Sequence, residues 1–351
     1  DAKVVTAVHQ PMPPTGLACT TNASDTFTLT TKDGYISLPD GNVVYMWGYS
    51  EGDGAFQHPS PVLCVDEGDT VTVVLHNTLA EEVSIIFPGQ ENVLANGNPS
   101  QPVFDGADLV SLAPTAGANG GSVTYSFVAD KPGTFIYESG TEPAKQINMG
   151  LFGALVVRPA MNVYDPTTGE LLEAYAYNDP DSRYAPDWEY LLVISEIDPM
   201  LHVAVEQGYS YDMNNYTARY WNYNGRSFPD TVADNGADWL PNQPYGALVY
   251  IAPFDDQPFE ADGVTPNINY RPYPALNRML NVGTVDYSHH PHGNHGRLIA
   301  WDGHLLKSGA GDDMSGEKFT VTIGPGQTLD TLFKWTDVEK WDPVNNPIPV
   351  V

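Results

Sequence analysis

The apolar positions of this chain fall in short runs that alternate with polar residues or are rich in β-branched ones. "GDTVTVVLHNT" (68–78), "GSVTYSFVAD" (121–130), "GTFIYESG" (133–140) and "GLFGALVVRP" (150–159) are bounded by Gly, Pro, Asp and Asn, which is the signature of sandwich strands. A second series follows: "EYLLVISEID" (189–198), "YGALVYIAPF" (245–254), "NRMLNVG" (277–283), "GRLIAWDG" (296–303) and "FTVTIGPGQTLDTLFKWT" (319–336). The 30 prolines and 32 glycines are spread along the chain as punctuation between short elements, which favours an all-β fold. Between the two series, residues 160–188 form a polar, Tyr-rich connector, so a boundary near 165 is expected, dividing the chain into domains 1–165 and 166–351.

The two series read as copies of one unit. "NTLAEEVSIIFPG" (77–89) sets over "NVGTVDYSHHPHG" (281–293) without a gap, so that Asn, Ser and the final Gly coincide. Ile86 then faces His290, and Pro88 faces His292. Downstream, "GGSVTYSFVAD" (120–130) aligns with "GQTLDTLFKWT" (326–336).

A length of 351 residues suits two domains, and 42% hydrophobic content is enough for a core in each. The net charge of -29, from 44 acidic against 15 basic residues, excludes a nucleic-acid partner, because phosphate contacts need Lys and Arg to displace counterions. The scattered acids read as a solvated surface in an extracellular or salty medium. No apolar run approaches the ~18 residues of a membrane span, and a start at Asp1 fits removal of a signal peptide. A secreted protein, extracellular or periplasmic, is therefore expected. Cys19 and Cys64 have no CxxC partner; a disulfide joining the N-terminal segment to a core strand is preferred over two free thiols.

The candidate chemistry lies in "SHHPHGNHG" (288–296), which packs four of the nine histidines, His289, His290, His292 and His295, into seven positions. The scattered His9, His58, His76, His202 and His304 are assigned no role. Two histidines two apart on a strand share one side, so His290 and His292 can converge on neighbouring metal ions. Imidazole suits copper or zinc, and a ligating ring hands its other N–H to a carboxylate or carbonyl; Asp286 and Asp302 are candidates for that support. Two further features have plainer readings. "WNYNGRSFP" (221–229) is an Asn-Gly hairpin. Asn22-Ala-Ser24 and Asn215-Tyr-Thr217 fit the glycosylation sequon, relevant only in a eukaryotic secretory pathway.

"PVLCVDEGDTVTVVLHNT", "KPGTFIYESG" and "QINMGLFGALVVRP" resemble the cupredoxin domains of multicopper oxidases. The resemblance covers most of residues 55–160 and, more weakly, 189–336. It implies two tandem Greek-key β-sandwiches and copper chemistry, in which histidine pairs from two domains hold a three-copper cluster that reduces dioxygen. The departures are informative. In the first domain the His-x-His-Gly position reads Ile86-Phe87-Pro88-Gly89, and the Tyr-His-Ser-His position reads Tyr137-Glu138-Ser139-Gly140, so every expected ligand is gone. The second domain keeps the pair as His290-Pro291-His292-Gly293; the resemblance assigns His290 to a type 2 copper and His292 to a type 3 copper. His295 is a further ligand or a supporting donor, and His289 should point away. Tyr287 stands where one alignment places a type 1 ligand, and neither cysteine is flanked by histidines, so no type 1 copper is expected in this chain.

The second copy also runs out early: only "DVEKWDPVNNPIPVV" follows Thr336, against about 29 residues after Asp130 in the first. The second sandwich is therefore expected to be incomplete, and to be completed by a further C-terminal segment or a companion chain that supplies the remaining copper ligands. Three readings follow: part of a multicopper oxidase, with an unknown electron donor and no competence by this chain alone; a secreted copper-binding protein without turnover; or a structural protein that self-assembles through donated strands.

Overall fold

A computed structural model describes residues 12–336; His9 and the final segment 337–351, to which the shortened second copy was ascribed, lie outside them. The first half forms β1 (Thr26–Ser37), β2 (Val43–Glu51), β3 (Leu63–Asp66), β4 (Thr70–Asn77), β5 (Leu94–Ala95), β6 (Asn98–Pro99), β7 (Val103–Asp105), β8 (Asp108–Ser111), β9 (Gly121–Val128), β10 (Gly133–Glu138), the short helix α1 (Pro143–Gln146) and β11 (Phe152–Arg158). The connector forms a small sheet from β12 (Val163–Tyr164), β13 (Leu171–Tyr175) and β14 (Arg183–Tyr184). Residue 165 falls in the turn of its first hairpin, where Asp165 caps Thr167 and Thr168. The second half follows with β15 (Glu189–Ile197), α2 (Pro199–Glu206), β16 (Tyr220–Tyr223), β17 (Ala275–Asn281), β18 (Tyr287–His289), β19 (Gly296–Trp301), β20 (His304–Leu305), β21 (Gly316–Lys318), β22 (Val321–Ile323) and β23 (Thr328–Phe333). The fold is all-β, as expected.

The expected strand over 245–254 is not formed; that segment is irregular, although Tyr245 is buried against the seam between the halves. Its alternating apolar residues are used for packing without a ladder partner. The Asn-Gly hairpin is present: Asn224 and Gly225 both take positive φ, and Tyr223 and Arg226 exchange two backbone hydrogen bonds of 3.0 Å. Cys19 and Cys64 are joined in a disulfide.

The repeat inferred from sequence reappears in the hydrogen bonding. In the first half β1 pairs with β2 antiparallel and with β4 parallel, and β4 pairs with β9 antiparallel. In the second half β15 pairs in the same senses with β16 and β17, and β17 with β23. The register agrees as well: Asn77 lies opposite Gly121, and Asn281 donates its backbone N–H to Gln327 O at 3.0 Å, the two pairs that the alignment superposes. Both asparagines close the same turn. Asn77 Nδ2 donates to Glu81 O at 2.6 Å and its Oδ1 accepts from Leu79 N; Asn281 Nδ2 donates to Val285 O at 2.9 Å and its Oδ1 accepts from Gly283 N. Gly89 and Gly293, which coincide in the alignment, both have positive φ, 87° and 78°.

The halves are joined through the three-stranded sheet β10-β11-β3, which is buried on both faces. Leu63, Val65, Phe135, Tyr137, Leu155 and Val157 face the first core; Cys64, Ile136, Ala154 and Val156, one residue out of phase, pack against Leu191, Val193, Leu280 and Val282 of the second half. That double burial is why these strands read as nearly continuous apolar runs. The seam also holds an ionic network. Glu189 accepts from Arg158 Nη2 at 2.9 Å and Arg278 Nε at 2.7 Å, and Arg278 Nη1 donates to Thr134 Oγ1 at 2.9 Å. Asp330 accepts from Thr134 Oγ1 at 2.7 Å and Tyr177 OH at 2.5 Å. Burial alone would raise the Glu189 carboxyl, but the two guanidiniums outweigh it and hold it down at about 2.

Two histidines without an assigned role prove to be buried at the same junction. His58 is fully enclosed, edge-on to Phe152, and its backbone N–H donates to Asn242 O of the second half at 2.7 Å. His202 on α2 places Nδ1 2.7 Å from Tyr45 O on β2. Burial, with a smaller contribution from His202, pushes His58 down to about 3; burial, against the Tyr45 carbonyl and Asp198, pushes His202 down to about 4.

Two tests follow from this packing. Glu189→Gln leaves two buried guanidiniums short of a counter-charge and is expected to cost about 3–5 kcal/mol, read as a lower urea midpoint at pH 7; an unchanged midpoint would contradict the role given to the network. The imidazoles have folded values below their unfolded value, so their contribution is complete above about pH 6.5 and is lost as pH falls towards 4 and 3. Thermal midpoints should therefore drop steeply below pH 6, and the drop should be shallower in His58→Gln/His202→Gln; identical slopes for the two proteins would refute this.

Candidate functional site

The histidine motif occupies the turn between β18 and β19. β18 ends at His289, so His290 and His292 are not strand residues, and the expectation that strand alternation brings them together is corrected. They meet for another reason: Pro291 fixes its own φ and Gly293 adopts the left-handed backbone, so the chain folds back immediately beyond the pair. The ring centroids of His290 and His292 are 4.9 Å apart, tilted by 52°, and both rings are exposed. Two imidazoles on one ion at a nitrogen–metal distance of about 2.0–2.1 Å place their ring centres roughly 4.5–6 Å apart, so the observed spacing suits a shared or neighbouring ion.

His290 Nδ1 is 2.8 Å from Phe319 O and 3.3 Å from Thr320 Oγ1, while the Phe319 ring lies edge-on to it at 4.5 Å. A carbonyl can only accept, so Nδ1 carries the proton and the Nε2 lone pair is free for a ligand. This replaces the expected carboxylate support. Asp302 instead accepts from Thr328 N at 2.9 Å, and Asp286 makes no hydrogen bond to a histidine among the described residues. Phe319, 61% exposed, was not singled out in the sequence, since neither a backbone carbonyl nor a lone surface aromatic leaves a motif.

The other two histidines differ from the pair. His289 is half-buried on β18 with Nε2 3.4 Å from Asn277 Nδ2, and burial followed by the nearby His290 lowers its pKa. His295 is exposed and its ring lies 6.2 Å from the Phe319 ring. Among the described residues no three His, Cys, Asp or Glu side chains are grouped so as to hold one metal ion. The loop therefore presents a two-imidazole site, with His295 nearby but not gathered into it. Tyr287 is also occupied: its hydroxyl donates to the buried Glu196 at 2.7 Å, and burial first, then that bond, raises its pKa.

The corresponding place in the first half has a similar backbone and no imidazole. Ile86 and Glu138, at two positions where the resemblance would have placed ligands, exchange backbone hydrogen bonds of 2.8 and 3.2 Å, so the two segments lie side by side. Phe87 is buried, and Ile and Pro offer no lone pair. Glu138 is the carboxylate there, and burial pushes it up to about 7.

Residues 32–162 match the sequence model of the multicopper oxidase family. A multicopper oxidase of Byssochlamys spectabilis is 32% identical over 142 residues, 38% of this chain and 19% of that protein. An L-ascorbate oxidase of Cucurbita maxima is 34% identical over 110 residues, 31% of this chain and 17% of that protein. The blue copper oxidase of Nitrosomonas europaea shares the fold with a TM-score of 0.57 at 19% identity, covering 89% of this chain and 76% of that one. The architecture is that of cupredoxin sandwiches. Residues 32–162 thus resemble a multicopper oxidase domain, and the matches span about a fifth of the length of these curated relatives. The family-model match falls on the half without the histidine cluster.

Glu138 supplies a test. Its folded value lies above the usual 4.5, so keeping it charged costs stability once pH rises past 4.5 towards 7. Glu138→Gln should be neutral at pH 4 and stabilise by on the order of 1–3 kcal/mol at pH 8, measured by thermal unfolding; destabilisation at pH 8 would show that the carboxylate is paired.

Proposed function

We propose that this chain is the copper-binding part of a multicopper-oxidase-like protein and that His290 and His292 are its metal ligands, with His295 as a neighbouring donor. The observation that carries the reading is the pair of exposed rings 4.9 Å apart, one of them held through Nδ1 by a backbone carbonyl. Copper fits this donor set because neutral imidazole is a borderline ligand and a fixed tautomer presents a single lone pair. In the full assembly the copper would take part in reducing dioxygen with electrons from a reducing donor. This chain contributes two ligands of a type 2/type 3 cluster and no type 1 site, so the other ligands must come from further polypeptide. His290 and His292 hold and orient, and the Phe319 carbonyl keeps the His290 proton away from the ligating nitrogen. A secreted setting suits the disulfide.

A second reading, copper binding without turnover, is favoured by one observation: no third ligand is grouped with the pair among the described residues. Equilibrium dialysis with Cu(II) and electron paramagnetic resonance test the shared premise. One tightly held copper with nitrogen hyperfine coupling is expected, with affinity reduced 10-fold or more in His290→Ala and in His292→Ala; undiminished binding in both variants rejects the assignment. Oxygen uptake by the copper-loaded chain alone should be absent, and uptake restored by added polypeptide would select the oxidase reading over the second.

A further inference from the structure

Borderline metal ions in closed protein sites take about four ligands, and this chain groups two. His290 and His292 stand with ring centroids 4.9 Å apart, both exposed in the turn between β18 and β19. Nδ1 of His290 is spent on the Phe319 carbonyl at 2.8 Å, so Nε2, across the ring, is the nitrogen left for a ligand. No third His, Cys, Asp or Glu is grouped with the pair among the described residues. The set is half of what a closed site needs.

The pair also sits where two copies of this chain can come together. Each copy carries a net charge of -29, and charge of that size keeps like molecules apart. The turn "SHHPHGNHG" (288–296) and the segment "FTVTI" (319–323) nevertheless contain no Asp, Glu, Lys or Arg. β18 and β22 bind the two segments side by side, with Ser288 opposite Thr322 and His289 opposite Val321. Phe319, 61% exposed, lays its ring 4.5 Å from that of His290 and 6.2 Å from that of His295. Here copies can meet without setting carboxylate against carboxylate, and a divalent ion between them adds positive charge to the contact.

We propose that His290 and His292 hold one Cu(II) together with the same two residues of a second copy of this chain, across a two-fold axis at the turn. The inference rests on the reading that the pair ligates copper, and it names the further polypeptide as another copy. A two-fold contact sets one patch against itself, so two imidazoles become four and the exposed Phe319 rings come in beside the ion. Because the ion is the link, the dimer forms when chains outnumber ions. With ions in excess, each pair takes its own and the copies part.

The test strips the full chain with chelator and titrates it with Cu(II), reading mass by sedimentation velocity and ligation by electron paramagnetic resonance. Dimer should be maximal near half an equivalent of Cu(II) per chain, decline in excess Cu(II) and revert to monomer with chelator. Four nitrogen ligands are expected at half an equivalent and two in excess. His290→Ala and His292→Ala should each lower the dimer fraction at half an equivalent at least 10-fold, while His76→Ala, an exposed histidine of the first half, should leave it unchanged. Copper bound through the pair with the chain monomeric at every ratio overturns this inference and spares the ligand assignment. Copper binding undiminished in both alanine variants overturns the assignment and the inference with it. A dimer that persists in chelator or in both variants, or that keeps growing in excess Cu(II), arises from other surface groups and also overturns the inference.

Discussion

The carboxylate of Glu189 is clasped by Arg158 from the first half and Arg278 from the second, inside a seam where Arg278 has no exposed surface. Such a network brings little net stability, since removing the charges from water costs as much as their attraction returns. What it does impose is position. A guanidinium fork satisfies a carboxylate in few orientations, and Thr134 on β10 ties the same network to Asp330 on β23. The apolar contact of β10-β11-β3 with β15 and β17 supplies the attraction, because area burial is indifferent to small slides. The ions choose one alignment among many that the apolar surfaces would tolerate.

The two halves place different side chains on one scaffold, a histidine pair in the second and Ile86 and Pro88 in the first. Asn77 and Asn281 close matching turns, and Gly89 and Gly293 bend the chain at matching points. Between those fixed points, Ile86 and Pro88 stand where His290 and His292 stand. The turn geometry is the same with and without imidazoles at these positions, so the backbone there does not depend on the histidine side chains. In the first half Phe87 is drawn into the core with Tyr125, Phe127 and Tyr137. In the second half the pair faces outward, with the Phe319 ring laid against His290 in the open.

Much of this was legible in the sequence, and the failures have physical causes. The strands between 68 and 159 were found because burial on one or both faces writes a clear apolar pattern, and the repeat was found because the turn asparagines and glycines cannot vary freely. β1 and β2 escaped notice although they are the longest pair, since residues such as Thr30, Thr31 and Gly48 interrupt the alternation while still packing inward. The helix α2 was missed as well; its signal was the Asp198-Pro199 cap, where Asp198 Oδ1 accepts from Met200 N at 2.9 Å. The opposite error occurred at 245–254, where an apolar run found no ladder partner and only Tyr245 of its apolar side chains is buried, Tyr250 being exposed. At the site, residue identity was readable and orientation was not. The loop placement of His290 and His292 and the carbonyl beneath His290 depend on β22 and Phe319, some thirty residues on.

The site's exposure bears on what it can do. A metal held by two imidazoles in water keeps several positions for solvent, and its charge is poorly screened from competing ligands, so two rings on an open turn make a weaker and less selective site than a closed one. The electrostatic gain of a preorganised centre arises only where water is excluded. His290 already has the preorganised half of that requirement, a fixed tautomer and a fixed ring plane, while exclusion is missing on the side where Phe319 and His292 face outward. If the proposed copper reading holds, orientation without enclosure is what a half-site completed by another surface would show. An imidazole evolved only for surface solvation has no need of a carbonyl anchor at 2.8 Å or a ring laid edge-on against it.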